Sequence, residues 1–519
     1  MTLHLIDNLV ILSYLIVLLL IGLFMRNAKK TGHDLFLGGK TFKWPLIGFT
    51  LFATNVSPMM LVSYAGLAYT TGIVGANFEW LAWPFLILLS MVFLPYYFAG
   101  KVTTMPEFMM QRYGKRAYSF LTGYTLFSIL VIWLGGSLYA GGIIVSQILN
   151  IPLWVAMVVT VVIATSYTAV GGLAAIIKTD VFQSVVIILG SAVLVVLALL
   201  KIGSIDNLVQ GVPSHFWHLF RSSSDDYPWY AILLGYPVVG VYYFCTDQNI
   251  VQKVLAAKSI EEGQRGSIFL VVLKIFTPML FLFPGILCLV LYPDLANSDR
   301  AYITMVTNIL PTGLVGLLIA GLSAALINAI ATALNSFSTV FTLDVYKRAI
   351  NPTADAVKLK HIGQIITIVA AILAVFIGFS FSLIGKNLFN ITQGIAGFIA
   401  PPLTVVFLLG VLWRRATRFS ADLTMYGGGA LCLIISFLYF LKIPSEAFWP
   451  HFMLLSFYLC IGLMAFMIIV SLMSKPDENS NVQTLREVNK ASGIKTNKKI
   501  WLLWTVLAVI MISLYIIFK

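Results

Sequence analysis

Residues Leu51–Leu61 read "LFATNVSPMML". The apolar run around them, 45–72, is long enough to cross a bilayer, yet it carries Asn55, Ser57 and Pro58 near its middle. Proline has no backbone N–H and pushes the residue before it out of the helical region, so a helix entering this stretch must stop and restart. Five spans later, "LLGYPVVGVYYF", Leu233–Phe244, carries Pro237 and Gly240. Interrupted helices at corresponding positions of two five-helix halves are the sequence sign of an inverted-repeat membrane fold, the architecture of many transporters. The plainer alternative is that Pro and Gly are simply frequent in membrane helices.

The rest of the chain supports a membrane setting. Of its 519 residues, 60% are hydrophobic and 10% charged, and the mean hydropathy is +0.95, outside the range of soluble domains. About fourteen apolar runs recur, at 8–25, 45–72, 78–98, 117–148, 152–170, 179–200, 229–247, 266–292, 310–345, 362–382, 389–412, 419–440, 449–473 and 500–518. Each suffices for roughly 30 Å of hydrocarbon at about 1.5 Å per residue. The fold class is therefore all-α, with every predicted element a helix. The first run lacks a preceding basic segment and a small-residue cleavage site, so it reads as a retained span and not a signal peptide. The four cysteines lie inside predicted spans without metal-ligand spacing.

The net charge of +13 reads as topology, not as a nucleic-acid surface. Most of the 33 Lys and Arg fall in the loops after the odd-numbered spans, which by the positive-inside rule are cytoplasmic, with both termini outside. Lipid-headgroup contacts are a secondary role for "MRNAKK", "LWRRATR" and "KTNKK". The expected organisation is an extra helix and cytoplasmic loop over 1–44, a first repeat over 45–202, and an external loop over 203–228 with room for a short helix. A second repeat over 229–412 and three peripheral helices over 413–519, with a cytoplasmic linker at 474–499, complete it.

Polar groups inside the spans mark candidate sites. Lys274, in "FLVVLKIFTPMLF", lies near mid-membrane, where a lysine costs on the order of 2.5–3.5 kcal/mol on insertion scales unless it meets water, a partner or a solute. Glu79 in "NFEWLAW" and Asp180 in "IIKTDVFQ" open spans, where a carboxylate also suits the helix dipole. Gln393 in "NITQGIAGFIAPP" can serve a solute or bond between helices. In "ALINAIATALNSFSTVFTLDVY", Ala325–Tyr346, the residues Asn328, Thr332, Asn335, Ser336 and Thr339 share one helical face with Ala325 and Ala329. Such a face packs closely on a neighbouring helix or, with converging oxygens, holds a cation.

Taken together, "LFATN", "FEW", "TMPEF", "YTAVGGLAAIIKTDVFQ", "YYFCTDQNIVQKVLAAKS", "VLKIFTP", "LNSFSTVFTLDVY" and "APPLTVVFLLGVLWRR" resemble the sodium:solute symporters, and within them the sodium–glucose cotransporter branch with its LeuT-type 5+5 inverted repeat. The resemblance runs over nearly the whole chain. It implies substrate contacts at Asn55, Glu79, Lys274 and Gln393, with an inner aromatic gate at Tyr243 followed by Phe244, where Trp is usual. Met60 stands where the family has Gln or His, and Ala82 and Gly240 stand where bacterial galactose-type relatives have Ser and Asn. A less hydroxylated sugar, an inositol or another polyol is thus implied.

For sodium, the resemblance implies backbone carbonyls of Ala53, Val56 and Ala325 and two adjacent serine hydroxyls, which here are Asn328 and Ala329. One ligand is lost outright and the other lengthened. Asp180 matches an acidic residue of the intracellular ion path, and Lys178 replaces an aromatic there. The expected function is alternating-access transport of a sugar or polyol, with Na+ as the coupling ion or, alternatively, with no sodium requirement. A non-transporting sugar sensor is a third reading. No nucleophile–base pair, metal cluster or phosphate loop suggests an enzyme, and no cofactor besides Na+ is expected. A monomer in a bacterial inner membrane, with the bilayer and a small solute as its partners, is expected.

Overall fold

The computed structural model describes residues 4–24, 38–56, 58–149, 151–222, 225, 227–384, 388–477 and 498–519. Among these residues the secondary structure is helical, with one isolated bridge between Phe42 and Ala257 and no strand. Among the described residues ten helices are long and apolar enough to cross a bilayer, and the shorter apolar helices Leu5–Tyr14, Leu153–Ser166 and Ala396–Leu412 overlap the first, fifth and eleventh expected spans. The fifth and sixth expected spans are not separated by a non-helical link: Leu153–Ile202 is helical over 50 residues. The stretch 203–228 holds a short helix, Ile205–Gln210, as expected.

The helices that position the candidate site are α1 (Leu5–Phe24), α2 (Trp44–Asn55), α3 (Pro58–Thr71), α4 (Leu153–Ile202), α5 (Trp229–Val241), α6 (Gln248–Leu255), α7 (Ile260–Thr277) and α8 (Leu314–Val340). The first break falls where the sequence places it. Val56 leaves the helical region at φ −81°, ψ 87°, and Pro58 opens α3, the one helical position where its missing N–H costs nothing.

The second break is displaced from its expected position. Pro237 is accommodated inside α5, and a π-turn over Tyr242–Thr246 leads to Asp247, whose backbone is extended at φ −70°, ψ 130°. Its carboxylate accepts the backbone N–H of Asn249 at 2.8 Å, an N-cap that starts α6 anew. The chain therefore restarts at Asp247, not at Pro237 or Gly240.

Helix α8 runs through the centre. From Ala324 to Val340 every residue except Ala329 is buried, so the helix is enclosed on all sides. Its N-terminus is tied to α1, where Asp7 Oδ1 accepts the N–H groups of Gly313 and Gly316 at 2.7 and 2.8 Å. Helix α7 begins with Ser259 accepting the Glu262 N–H, an N-cap, and carries Lys274 into the interior.

Candidate functional site: a cavity between two helix breaks

The carboxylate of Glu79, in the short helix Asn77–Trp80, is the polar centre of the site. Lys274 on α7 donates to its Oε2 at 2.6 Å, Asn55 Nδ2 lies 3.4 Å from the same oxygen, and Tyr64 OH donates to Oε1 at 3.0 Å. Glu79 and Lys274 are 3% and 2% exposed. Two buried charges lose several kcal/mol of hydration each, which only close pairing and extra hydrogen bonds offset. The last residue of α2, the second turn of α3 and the last turn of α7 converge here.

Next to this pair lies a cavity of about 220 Å³, lined on one side by Asn55, Met60, Tyr64 and Glu79 and on the other by Tyr243 and Phe244. Aromatic rings form much of the wall. Tyr243 packs on Trp133 at 5.7 Å and edge-on to Phe244 at 4.9 Å, while Tyr236 meets Phe78 at 6.0 Å. The Lys274 ammonium lies 5.3 Å from the Phe244 ring centroid, within cation–π range. Gly240 also lines the cavity, whereas Ala82 is buried. A side chain at Gly240 would collide with Phe85, since a Cβ there would fall 2.5 Å from its ring. The side chain of Gln393 lies outside the described residues.

The positions expected to hold a cation adjoin this cavity. Ala53, Val56, Ala325 and Asn328 are all buried, and Ala329 lines the cavity with Thr332. Neither atom of the Asn328 amide makes a hydrogen bond among the described residues.

Beside α2, at Thr50 and Thr54, lies a cation that sequence reading had assigned to a cytoplasmic loop. Lys253, on α6, is fully buried, and its Nζ is 2.8 Å from Asp180 Oδ2 on α4. It also donates to Thr54 Oγ1 and lies 3.4 Å from the Thr50 carbonyl. The Thr50 hydroxyl donates to the same Asp180 oxygen. Lys178, by contrast, is exposed.

Residues 35–428 match the sodium:solute symporter family. The chain belongs to that family. It is 32% identical over 465 residues to a sodium/glucose cotransporter from Vibrio parahaemolyticus, covering 83% of this chain and 85% of that protein. To sodium/myo-inositol cotransporter 2 from Bos taurus it is 31% identical over 475 residues, with 83% and 70% covered. A substrate-bound, outward-open Na+-coupled sialic acid symporter has the same fold, with a TM-score of 0.79 at 22% identity over 91% of this chain and 99% of that one. A nucleobase-cation-symport-1 family transporter is more distantly alike in fold, with a TM-score of 0.54 at 14% identity. The all-helical, LeuT-type class expected of a family member is thus the one observed.

Seen as a family member, the chain has four site residues that residue reading passed over: Tyr64, Trp133, Tyr236 and Lys253. Tyr64 follows Met60 by four positions, so it shares a helix face with a residue already singled out. The aromatic residues Trp133 and Tyr236 sit in strongly apolar runs, where a ring facing a cavity has the same sequence signature as one facing lipid or core.

Proposed function

We propose that the chain is a multi-pass secondary carrier for an uncharged sugar or polyol of hexose or inositol type. It works by alternating access, with the solute held between the two helix breaks and released unchanged. The observation that carries this reading is the Glu79–Lys274 pair at 2.6 Å beside an aromatic-walled cavity. A paired carboxylate and ammonium present acceptors and donors with no net charge, which suits hydroxyl groups that both donate and accept. An anionic or cationic solute would compete with one member of the pair for the other. Aromatic faces suit the C–H face of a ring. The names of the relatives, glucose and myo-inositol cotransporters, point the same way.

In this reading Asn55, Glu79, Lys274 and Gln393 contact the solute, Met60 reduces the polarity of one wall, and Tyr243 with Phe244 closes the inner side. In this reading a monomer is the working unit. Basic odd-numbered loops favour a plasma membrane with both termini outside.

The reading is tested by titrating glucose and myo-inositol against the purified protein, using fluorescence from the cavity residue Trp133 and the other tryptophans. Lys274→Ala should weaken binding at least tenfold, about 1.4 kcal/mol. The double variant Glu79→Gln with Lys274→Met, which strands neither charge, should weaken it as much while keeping the fold. Affinity unchanged in both would show that the solute does not use this pair.

A further inference from the structure

We propose that Asn249 and Thr332 form a second polar subsite in the cavity, which takes the hydroxyl groups of the sugar or polyol as it moves from the Glu79–Lys274 pair towards the cytoplasm. A role for them in transport presupposes the carrier reading above, and wild-type uptake tests that reading separately.

Both residues line the same cavity as Asn55 and Glu79, and the packing of α6 sets their level in it. Helix α6 runs back along α2. Lys253 reaches Thr54 and Thr50, and Lys258, just past the helix, donates its N–H to the Phe42 carbonyl ahead of α2 at 2.9 Å. The chain thus leads from Tyr243 away from Asn55 and Glu79, towards the end of α2 that the positive-inside rule places in the cytoplasm. Gln252 ties α6 to α8, donating to Thr339 at 3.0 Å and accepting from Ser336 at 3.3 Å. Asn249 precedes Gln252 by three positions and Thr332 precedes Ser336 by four, so each lies one turn back on a face already in contact. There both border the cavity.

Asn249 and Thr332 are 3% and 4% exposed. Neither the Asn249 carboxamide nor the Thr332 hydroxyl makes a hydrogen bond among the described residues. Buried polar groups are normally paired, and leaving one idle is costly, so a pair of them in the wall of a solute cavity points to the solute as partner. Thr54, which also borders the cavity, is by contrast engaged by Lys253. The idle groups decide the class of ligand. A carboxamide brings two N–H donors and an acceptor, and a threonine hydroxyl brings a donor and its lone pairs. A cation would use the oxygens alone and leave the Asn249 N–H groups stranded, whereas hydroxyls satisfy donors and acceptors together. Ala329, which lines the same cavity, adds apolar surface for ring C–H groups. Without a charge the subsite holds hydroxyls more loosely than the ion pair does, which suits a station on the way out.

The test pairs solute binding with transport for the full chain, using labelled glucose and myo-inositol in NaCl. Asn249→Leu with Thr332→Val keeps the bulk and removes the hydrogen-bonding groups. This variant should bind solute in detergent within threefold of wild type, because Glu79 and Lys274 are untouched. Its Tm should be equal or higher, because idle buried polar groups are gone. Its maximal uptake rate in proteoliposomes should nevertheless fall at least fivefold, and Thr332→Val alone should fall at least threefold. Thr332→Ser, which keeps the hydroxyl, should stay within twofold of wild type. An unchanged maximal rate in the double variant, or in Thr332→Val where the double variant does not fold, would overturn the subsite. Recovery of the rate on raising NaCl tenfold would overturn it too, since the groups would then hold an ion. Absence of saturable uptake by the wild type would overturn the carrier reading and the subsite with it.

Discussion

Glu79 and Lys274 were legible as single residues because a charge in mid-membrane is expensive enough to demand an explanation. Their contact at 2.6 Å was not, since nothing local links two positions 195 residues apart. Lys253 shows the opposite failure. It follows an aspartate and polar residues, the composition of a loop, so its charge read as topology, although its partner Asp180, 73 residues away, sits inside the protein. The two lysines resemble each other chemically and differ in what they face, Lys274 the Glu79 carboxylate beside the cavity and Lys253 the buried Asp180. Restoring hydroxyls by Asn328→Ser with Ala329→Ser should make uptake of labelled solute at least tenfold faster in sodium than in choline, and initial rates equal in the two salts would mean that more than these two ligands is lost.

Among the elements, the first helix break was readable because proline states it directly, whereas the second was misplaced to Pro237 and Gly240. A proline within a membrane helix can be absorbed by its surroundings, as α5 absorbs Pro237. An aspartate at the end of an apolar run looks like an ordinary helix boundary, although Asp247 is an N-cap between two arms. Helix α8 posed a different difficulty. Its polar stripe suggested a packing face or an ion face, and the helix is buried almost all round, with Thr332 of the stripe and the adjoining Ala329 lining the cavity. The helix contacts themselves are close enough to be tested. Gly285, on the helix Phe283–Leu291, faces α3, where an added Cβ would lie 2.0 Å from the Ala65 carbonyl oxygen. The atoms that the Cβ meets are Ala65 backbone, so Gly285→Ala must push α3 away. Overpacking of this kind costs about 1–3 kcal/mol, and a clear fall in Tm in detergent is the expected result. An unchanged Tm would mean that α3 moves freely at this point.

For the molecule as a whole, composition and charge distribution were sufficient to place the chain in a membrane and to suggest its sidedness. The apolar runs predicted spans well but not their boundaries, because hydropathy does not register where one helix yields to the next. Leu153–Ile202, helical over 50 residues, covers two of the expected runs. Alternating access requires the arms at the two breaks to change their relation. The Lys253–Asp180 contact spans α6 and α4, and the Lys274–Glu79 contact spans α7 and the helix Asn77–Trp80, so both charge pairs couple separate parts of the fold. The most direct test is uptake of labelled glucose and myo-inositol into proteoliposomes, with external sodium or with choline in its place. The account predicts saturable uptake of at least one of them, and no saturable uptake of either solute in either salt would contradict the carrier.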